Sequence, residues 1–489
     1  MIKYWRLAIL TGFSTACFAD EAGQLDPSFK QPAFVTKNSQ FSYVHQVETT
    51  QGGKLLIQGS FLRVANVERH NLARLNEDGS LDTTFAASKD LHLESLGAVL
   101  REGKVVMKSF IKTKNESGTP VIHPIVRLNS NGTLDESFER SYGGPVTSLY
   151  GTRFAARLDG GLICHFIPSL QRQQAQEKLE VRKLNPDGSV DKEFNFICPD
   201  QAKSLSLGQI DHKGRFLVNM HMRGEPKEWI SELTRVAPDG SQDVNFKTHY
   251  AKGTLLNCTY INEYRIYPNG DVLFMMVNLN NTINSWKLMR MSAEGIIDES
   301  FLSPESAEAG VSNFTLQEDG KIICLQSVGG NRFDTRATHV YRLNSDGRID
   351  PAFPRKIAKR VGWHGVTLQA DGKILLYGDT MISSNQGEPI MIRLLNDPAV
   401  DELRVVDEKS VRWKRGGSAP AVTQTLFDLS VDEGRTWQML GYGAWSKEGW
   451  KLEGLELPSA GMVRASGQAT SSGSSGLVEQ TVKFSFEKH

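Results

Sequence analysis

Cysteine is scarce in this chain, five in 489 residues, too few for a disulfide framework in a body of this size. Apart from Cys17 near the start, only Cys164, Cys198, Cys258 and Cys324 are present. They lack the CxxC spacing of a zinc site and leave room for one disulfide whose pairing the sequence does not assign. A charge excess is missing too: Lys plus Arg and Asp plus Glu each total 56. No electrostatic footprint for nucleic acid or an anionic membrane follows from that balance. After the opening segment no apolar run approaches the eighteen or so residues that span a bilayer, so no transmembrane segment is expected. There is no Gly-rich phosphate loop, no G-x-S-x-G phrase and no HExxH. The sequence therefore offers no catalytic, cofactor-binding or metal-binding residue.

What is present begins with a leader. Lys3 and Arg6 precede an apolar run from Leu7 to Phe13 and small residues ending at Ala19. This pattern predicts a secretory signal over residues 1–19, cut before Asp20, and hence a secreted, periplasmic or cell-surface protein.

One phrase then recurs. RLNEDGSLDTTF starts at Arg74, RLNSNGTLDESF at Arg127, KLNPDGSVDKEF at Lys183, RVAPDGSQDVNF at Arg235, RMSAEGIIDESF at Arg290 and RLNSDGRIDPAF at Arg342, at intervals of 53, 56, 52, 55 and 52 residues. A second phrase, a Gly turn followed by a short apolar run, interleaves seven times, from GGKLLIQGSF at Gly52 to DGKILLYGD at Asp371. Four strands per unit follow; in the first they are about Phe41–Val47, Lys54–Phe61, Leu72–Asn76 and Ser80–Phe85. Asp-Gly and Asn-Gly pairs supply the positive φ of tight hairpins. Second strands such as Leu55, Leu56 and Ile57 are apolar throughout, the mark of burial on both faces. A period near fifty residues without helical periodicity predicts an all-β fold, a seven-bladed β-propeller over residues 20–400.

The seventh unit decays into RLLNDPAV and has no fourth strand. An orphan LDPSF at Leu25–Phe29 matches IDPAF at Ile349–Phe353 of the sixth unit. The N-terminal segment is therefore expected to supply the missing strand and close the ring, removing an open join.

With RLNxDGSLDxxF alternating with QxDGKIL, as at Gln317–Ile322 and Gln369–Leu375, the chain resembles the delta-60 repeat family of bacterial β-propeller proteins over about residues 25–400. The resemblance implies an exported or surface propeller and brings no reaction and no catalytic residues.

Asn76, Asp78 and Asp82 have the spacing of looped calcium ligands, yet Arg74 stands where the first carboxylate belongs. Pairing of Arg74 with Asp82, and of Arg342 with Asp350, is the expected arrangement. Ser430–Trp437, SVDEGRTW, is similar to the Asp-box of sialidases and reads as a capped hairpin with Trp437 beneath it. Trp413, Trp437, Trp445 and Trp450 crowd this region and read as core, with exposed sugar platforms as the alternative. Cys164, His165, His123, His212, His221 and His364 show no repeated ligand spacing and read as ordinary strand residues.

From about residue 401 to 489 the repeats give way to around seven short strands, which predicts a small immunoglobulin- or fibronectin-like β-sandwich. Ser471–Gly476 reads as a flexible loop between its last two strands. In each propeller unit the tight turns share one face. The opposite face carries the variable segments Lys112–Pro124, Ile167–Gln176, Leu279–Trp286 and Met381–Pro389, the expected recognition surface. The expected function is that of a non-enzymatic, monomeric binding or scaffold protein for a protein or glycan ligand. The rival is a carbohydrate-active enzyme, a glycoside hydrolase or lyase, with acidic residues at the propeller funnel.

Overall fold

The computed structural model describes residues 22–36, 42–91, 93–114, 120–138, 154–166, 179–223, 229–246, 259–278, 285–304, 311–326, 339–353, 356–357, 361–383, 386–470 and 475–486. The leader, Cys258, Ile167–Gln176 and most of Leu279–Trp286 lie outside them; of the other two segments expected to be variable loops, Lys112–Pro124 and Met381–Pro389, the described residues are mostly paired strand, because the hairpin ladders extend into them. Besides strands, the described residues form three single 3-10 turns, at Gln51–Gly53, Lys89–Leu91 and Arg101–Gly103. None of their helices is long and apolar enough to cross a membrane.

A small sheet of β1 (Phe34–Val35), β4 (Arg63–Val64) and β5 (Val67–Glu68) flanks the first of seven larger antiparallel sheets. That first sheet is β2 (Val44–Thr49), β3 (Leu55–Gly59) and β6 (Leu72–Leu75). The second is β7 (Leu93–Val99), β8 (Val105–Lys114) and β9 (Pro120–Leu128). The third is β10 (Phe154–Ala156), β11 (Leu162–Phe166) and β12 (Glu180–Leu184). The fourth is β13 (Ala202–Ile210), β14 (Phe216–Arg223) and β15 (Trp229–Val236), and the fifth β16 (Thr259–Ile266), β17 (Val272–Asn278) and β18 (Ser285–Met291). The sixth adds a short fourth strand: β19 (Val311–Leu316), β20 (Ile322–Gln326), β21 (His339–Leu343) and β22 (Lys356–Ile357). The seventh is β23 (Val361–Leu368), β24 (Ile374–Ser383) and β25 (Gln386–Leu394).

First strands lie side by side in the order β2, β7, β10, β13, β16, β19, β23 and back to β2, so they surround a common axis. Between neighbouring sheets sit seven apolar clusters, the last joining sheet seven to sheet one through Leu375, Tyr377, Met391, Val44, Val47 and Phe29. This explains the apolar second strands. Leu55 and Ile57 enter one cluster and Leu56 the next, so each side chain is fully buried, contributing about 1.5–3 kcal/mol.

The fourth strand expected at Ser80–Phe85 is reduced to a single bridge, Leu75↔Leu81. The cause is local: the Asp82 carboxylate accepts the Thr84 amide at 3.0 Å and the Thr84 hydroxyl at 2.6 Å, folding the chain into a turn where a ladder would continue. The same single bridge recurs at Leu128↔Leu134, Leu184↔Val190, Val236↔Gln242, Met291↔Ile297 and Leu343↔Ile349. In the seventh sheet it is Leu25↔Leu394, supplied by the N-terminal orphan.

Two four-stranded sheets complete the chain. One has the order β26 (Ala399–Asp407), β27 (Ser410–Gly417), β31 (Gly449–Glu453), β30 (Ala444–Ser446), and the other β29 (Gln438–Tyr442), β28 (Val422–Ser430), β32 (Ala460–Thr470), β33 (Ser475–Ser485). They share a core around Trp413, Phe427, Trp450 and Val463. That is eight strands where about seven were expected. Thr470 pairs with Ser475 across the Ser/Gly hairpin, whose residues 471–474 lie outside the described set.

Candidate functional site

The recurring Arg and Asp form staples. Arg74 Nε lies 2.6 Å from Asp82 Oδ2, Arg127 2.7 Å from Asp135, Lys183 Nζ 2.8 Å from Asp191 and Arg342 2.8 Å from Asp350. Arg235–Asp243 and Arg290–Asp298 repeat the pair. The five guanidiniums among them also cover a Phe ring, as Arg74 does Phe85 at 4.9 Å. Each cation then reaches the next sheet: Arg74 donates to the Ser130 carbonyl (2.7 Å), Arg127 to that of Pro186, Lys183 to Pro238 (3.4 Å), Arg235 to Ala293, Arg290 to Ser345 (2.6 Å) and Arg342 to the Asn396 side chain (2.8 Å). Arg393 pairs with Asp26 at 2.8 Å, covers Phe29 and donates to the Glu77 carbonyl of sheet one at 2.6 Å, which makes the chain of staples cyclic.

A second cation, unnoticed in the sequence although it is the Lys of the repeated Gly-Lys turn, joins several of these Asp residues. Lys54 meets Asp82 at 2.9 Å, Lys104 Asp135 at 3.1 Å, Lys321 Asp350 at 3.0 Å and Lys373 Asp26 at 3.5 Å. The carboxylates are thus engaged by cations and turn amides. Among the described residues no three His, Cys, Asp or Glu groups are placed to hold a metal. Burial opposes ionisation of Asp26, but the Ser28 hydroxyl and amide, with Arg393 and Lys373, hold its carboxyl below the usual range. Asp82, Asp135 and Asp350 are lowered by the same opposition of burial to hydrogen bonds and cations.

Along the axis the inner strands alternate. Tyr264 and Ile266, Phe314 and Leu316, Val366 and Leu368 enter the apolar clusters or their margins, while Glu263, Arg265, Asn313, Thr315 and Thr367 fall on the other side. Arg265 is 2% exposed and holds Glu263 at 2.9 Å. The charges of Glu48, Glu263 and Arg265, from sheets one and five, all act on the Tyr377 hydroxyl of sheet seven, whose burial raises its pKa.

Five inner strands carry a β-bulge at one level, opposite the fourth residue of the second strand. The extra residues are His45, Glu94, Asn262, Ser312 and His364. Bulges re-aim a side chain. Where sheets seven and one meet, two of these bulges bring histidines together. Tyr43 stacks on His45 at 4.0 Å and on His364 at 4.4 Å, and two rings that close and that nearly parallel must occupy opposite faces of the Tyr. His364 Nε2 is 2.7 Å from Asp379, and His45 Nε2 is 3.0 Å from the Ser60 hydroxyl. Desolvation, and then the charge of His364, pushes the His45 imidazole below its ordinary value, a shift moderated by the residue's exposure to solvent. His364 is thus part of a cluster instead of an isolated strand residue. No spacing in the sequence links residue 45 to residue 364.

The other end of the axis is capped. The C-terminal sheet pair meets the first-turn end of every larger sheet. Gly476 sits against Glu48 and Thr49, Arg101 pairs with Asp428, Leu426 packs with Leu158, and Gln424 Nε2 donates to the Asp211 carbonyl at 2.9 Å. Ala421 joins the cluster of Tyr267 and donates to the Leu316 carbonyl at 3.0 Å; Gly372 lies against Ser418. The Asp-box forms a capped turn, with Thr436 donating its amide to Asp432 at 2.9 Å and Trp437 under Gly434 and Arg464. Trp413 and Trp450 are wholly buried; Trp437 and Trp445 are half-buried. Cys164, Cys198 and Cys324 are buried free thiols.

Radial sheets around an axis of first strands make this fold a β-propeller. Residues 53–85, 125–138, 317–353 and 369–402 match the family model described as a domain of unknown function (DUF5122) beta-propeller. No curated protein matches the chain. Among solved structures it is similar to the calcium-binding protein regucalcin from Agrobacterium tumefaciens, at 12% identity and TM-score 0.34, covering 62% of this chain and 90% of that one. It is similar also to the Nup133 beta-propeller domain of Vanderwaltozyma polyspora, at 12% and 0.28, covering 74% and 93%. A putative glycosidase from Bacteroides thetaiotaomicron has 12% identity and TM-score 0.26, with 63% and 87% covered. At these scores none of the three bears on function.

Proposed function

We propose that this chain is an exported binding protein of the delta-60 repeat type. In this reading residues 20–400 are a seven-bladed propeller closed by Leu25–Phe29, and residues 401–489 are an immunoglobulin- or fibronectin-like sandwich. The carrying observation is the cap: the C-terminal sheet pair touches all seven first-turn ends, so in this reading a ligand comes from the opposite, long-loop end. A protein or glycan ligand docks there, beside His45, Tyr43 and His364. Loops on a rigid ring suit recognition, since the scaffold holds them at little entropic cost.

A second reading has one specific observation in its favour. Glu263, paired with the buried Arg265, lies on an inner strand beside the axis, where a carbohydrate-active enzyme would carry its acidic residues. A glycan array run beside a hydrolysis screen on the purified protein separates the two. Binding without turnover supports the binding protein; turnover abolished by Glu263→Gln establishes the enzyme.

A further inference from the structure

Asp271 breaks the charge pattern of the staples. The residue after the Gly of the first turn is Lys54, Lys104, Lys321 and Lys373 in sheets one, two, six and seven, and Arg215 in sheet four. These cations meet the staple Asp at 2.9, 3.1, 3.0, 3.5 and 3.1 Å respectively. In sheet three the position is Gly161, and in sheet five it is Asp271. Register fixes the equivalence: Val272 pairs with Met291 as Ile322 pairs with Leu343, so Asp271, Arg290 and Asp298 stand where sheet six has Lys321, Arg342 and Asp350. Sheet five carries a carboxylate in place of its neighbours' cation.

The exchange leaves an open cleft of about 330 Å³, whose walls include Asp271, Arg290, Glu294, Ile296, Ile297 and Asp298. Arg290 and Asp298 are 22% and 27% exposed, against 0% and 5% for Arg342 and Asp350, which Lys321 accompanies. Glu294 and Ile296 are exposed as well. The hydroxyl of the buried Tyr267, on which the charges of Arg290 and then Asp271 act, has no acceptor for its proton. The groups around this cleft are not fully satisfied within the chain.

Three carboxylates here face one guanidinium. Apart from Arg290, the groups that hold them are neutral. Asp271 accepts the Asn269 side-chain amide at 2.8 Å and the Ala293 backbone amide at 3.0 Å, Glu294 the Ser292 hydroxyl at 2.9 Å, and Asp298 the Ser300 hydroxyl at 2.6 Å. Capacity remains for a further cation. Asp82 Oδ2 receives Lys54 and Arg74 together, at 2.9 and 2.6 Å, whereas among the described residues Asp298 Oδ2 receives Arg290 alone. The excess of negative charge disfavours an anion, and no three groups among the described residues are placed to hold a metal. In sheets one, two, six and seven the counterparts of Asp298 hold a primary ammonium, and Ile296 and Ile297 offer apolar surface to the methylenes that would carry one.

We propose that the cleft of Asp271, Glu294 and Asp298 binds a primary ammonium on an aliphatic stem, supplied from outside the chain in place of the lysine that sheet five lacks. The ammonium belongs either to a free diamine or to a lysine side chain of another protein. The site lies at the first-turn end of sheet five and is independent of the ligand proposed for the long-loop end.

The test is calorimetry and ligand-observed NMR on the full chain at low ionic strength, where exposed charges are least screened. Cadaverine and Nα-acetyl-lysine methylamide are the probes, and the Nα,Nε-diacetylated amide is the uncharged control. Saturable binding that weakens at least tenfold in Asp271→Lys, with the melting temperature held or raised, is the expected result, because the new lysine fills the cleft from within. Glu294→Gln, at an exposed position, serves as the second variant should Asp271→Lys not fold, and weakens binding severalfold. Saturation by cadaverine alone identifies a free diamine, and saturation by the lysine amide, with or without cadaverine, identifies a protein side chain; either supports the site. Failure of both probes to bind, equal binding of the diacetylated control, or binding unchanged in the variants overturns it.

Discussion

Asp26 and Arg393 are 367 positions apart and form a buried ion pair at 2.8 Å, each about 4% exposed. Asp26→Ala would leave the guanidinium buried with its countercharge gone, a loss of about 3–5 kcal/mol for such pairs. Denaturant unfolding should register it as a lower midpoint. The more exposed Asp191→Ala should lose less, and equal losses would argue against a special role for the closing pair.

The Asp side chains of the staples also set the acid limit of the fold. Their folded pKa values lie below those of the unfolded chain, so their contribution is complete above the ordinary carboxylate range and disappears as pH falls through the lowered values. Stability followed from pH 7 to pH 2 should decline mainly below about pH 4. Replacing Asp82 and Asp135 by Asn should flatten that decline.

Glu318 works in the opposite sense. Burial lifts its carboxyl to about 7, against Arg415 and the Val422 amide, so the folded state favours the protonated form. Its contribution is present below the unfolded value and is lost as pH rises through about 7. Glu318→Gln keeps an acceptor for Val422 and should raise the melting temperature at pH 8 relative to the parent, with little difference at pH 5.

Gly79 has φ +86°, and a Cβ there would lie 2.4 Å from the Lys30 carbonyl, in the chain that follows the closing segment. Gly79→Ala should destabilise by about 1–3 kcal/mol from backbone strain alone. The clash adds to this. A loss no larger than that of Gly52→Ala, where φ is also positive and a Cβ would meet nothing, would show that residues 29–30 do not pack on this turn in solution.

Calcium should not change the melting temperature. Asp82 is engaged by Lys54, Arg74 and the Thr84 amide and hydroxyl, and its equivalents are similarly held. A rise of several degrees on adding calcium, reversed by chelator, would contradict the staples.

Sheets, staples and the closing segment were legible because each repeats: an Arg eight residues before an Asp is a pattern that a single chain displays many times. The fourth strand was misread, since Ser80–Phe85 alternates like a strand while the Asp82 side chain turns it. Beyond reach were features made by closure or docking. Tyr43, His45 and His364 meet only because sheet seven lies beside sheet one, and Gln317 faces the cap only because Pro420 pairs with it. Trp413 and Trp450 read correctly as core because large apolar rings bury wherever two sheets share an interior.

The pairing of Leu25 with Leu394 also sets an order of events. The segment that completes sheet seven is made early, and its partner strand emerges some 370 positions later. Until then the early segment has only its contacts with sheet one, through Phe29 and Lys30, and sheets one and seven each present an unmatched flank. Folding that ends on so distant a contact is slow, and its intermediates expose apolar surface. The latch is therefore also the step at which a chaperone that holds the early segment, or a neighbouring copy that offers its own, would decide between a closed ring and an exchanged dimer.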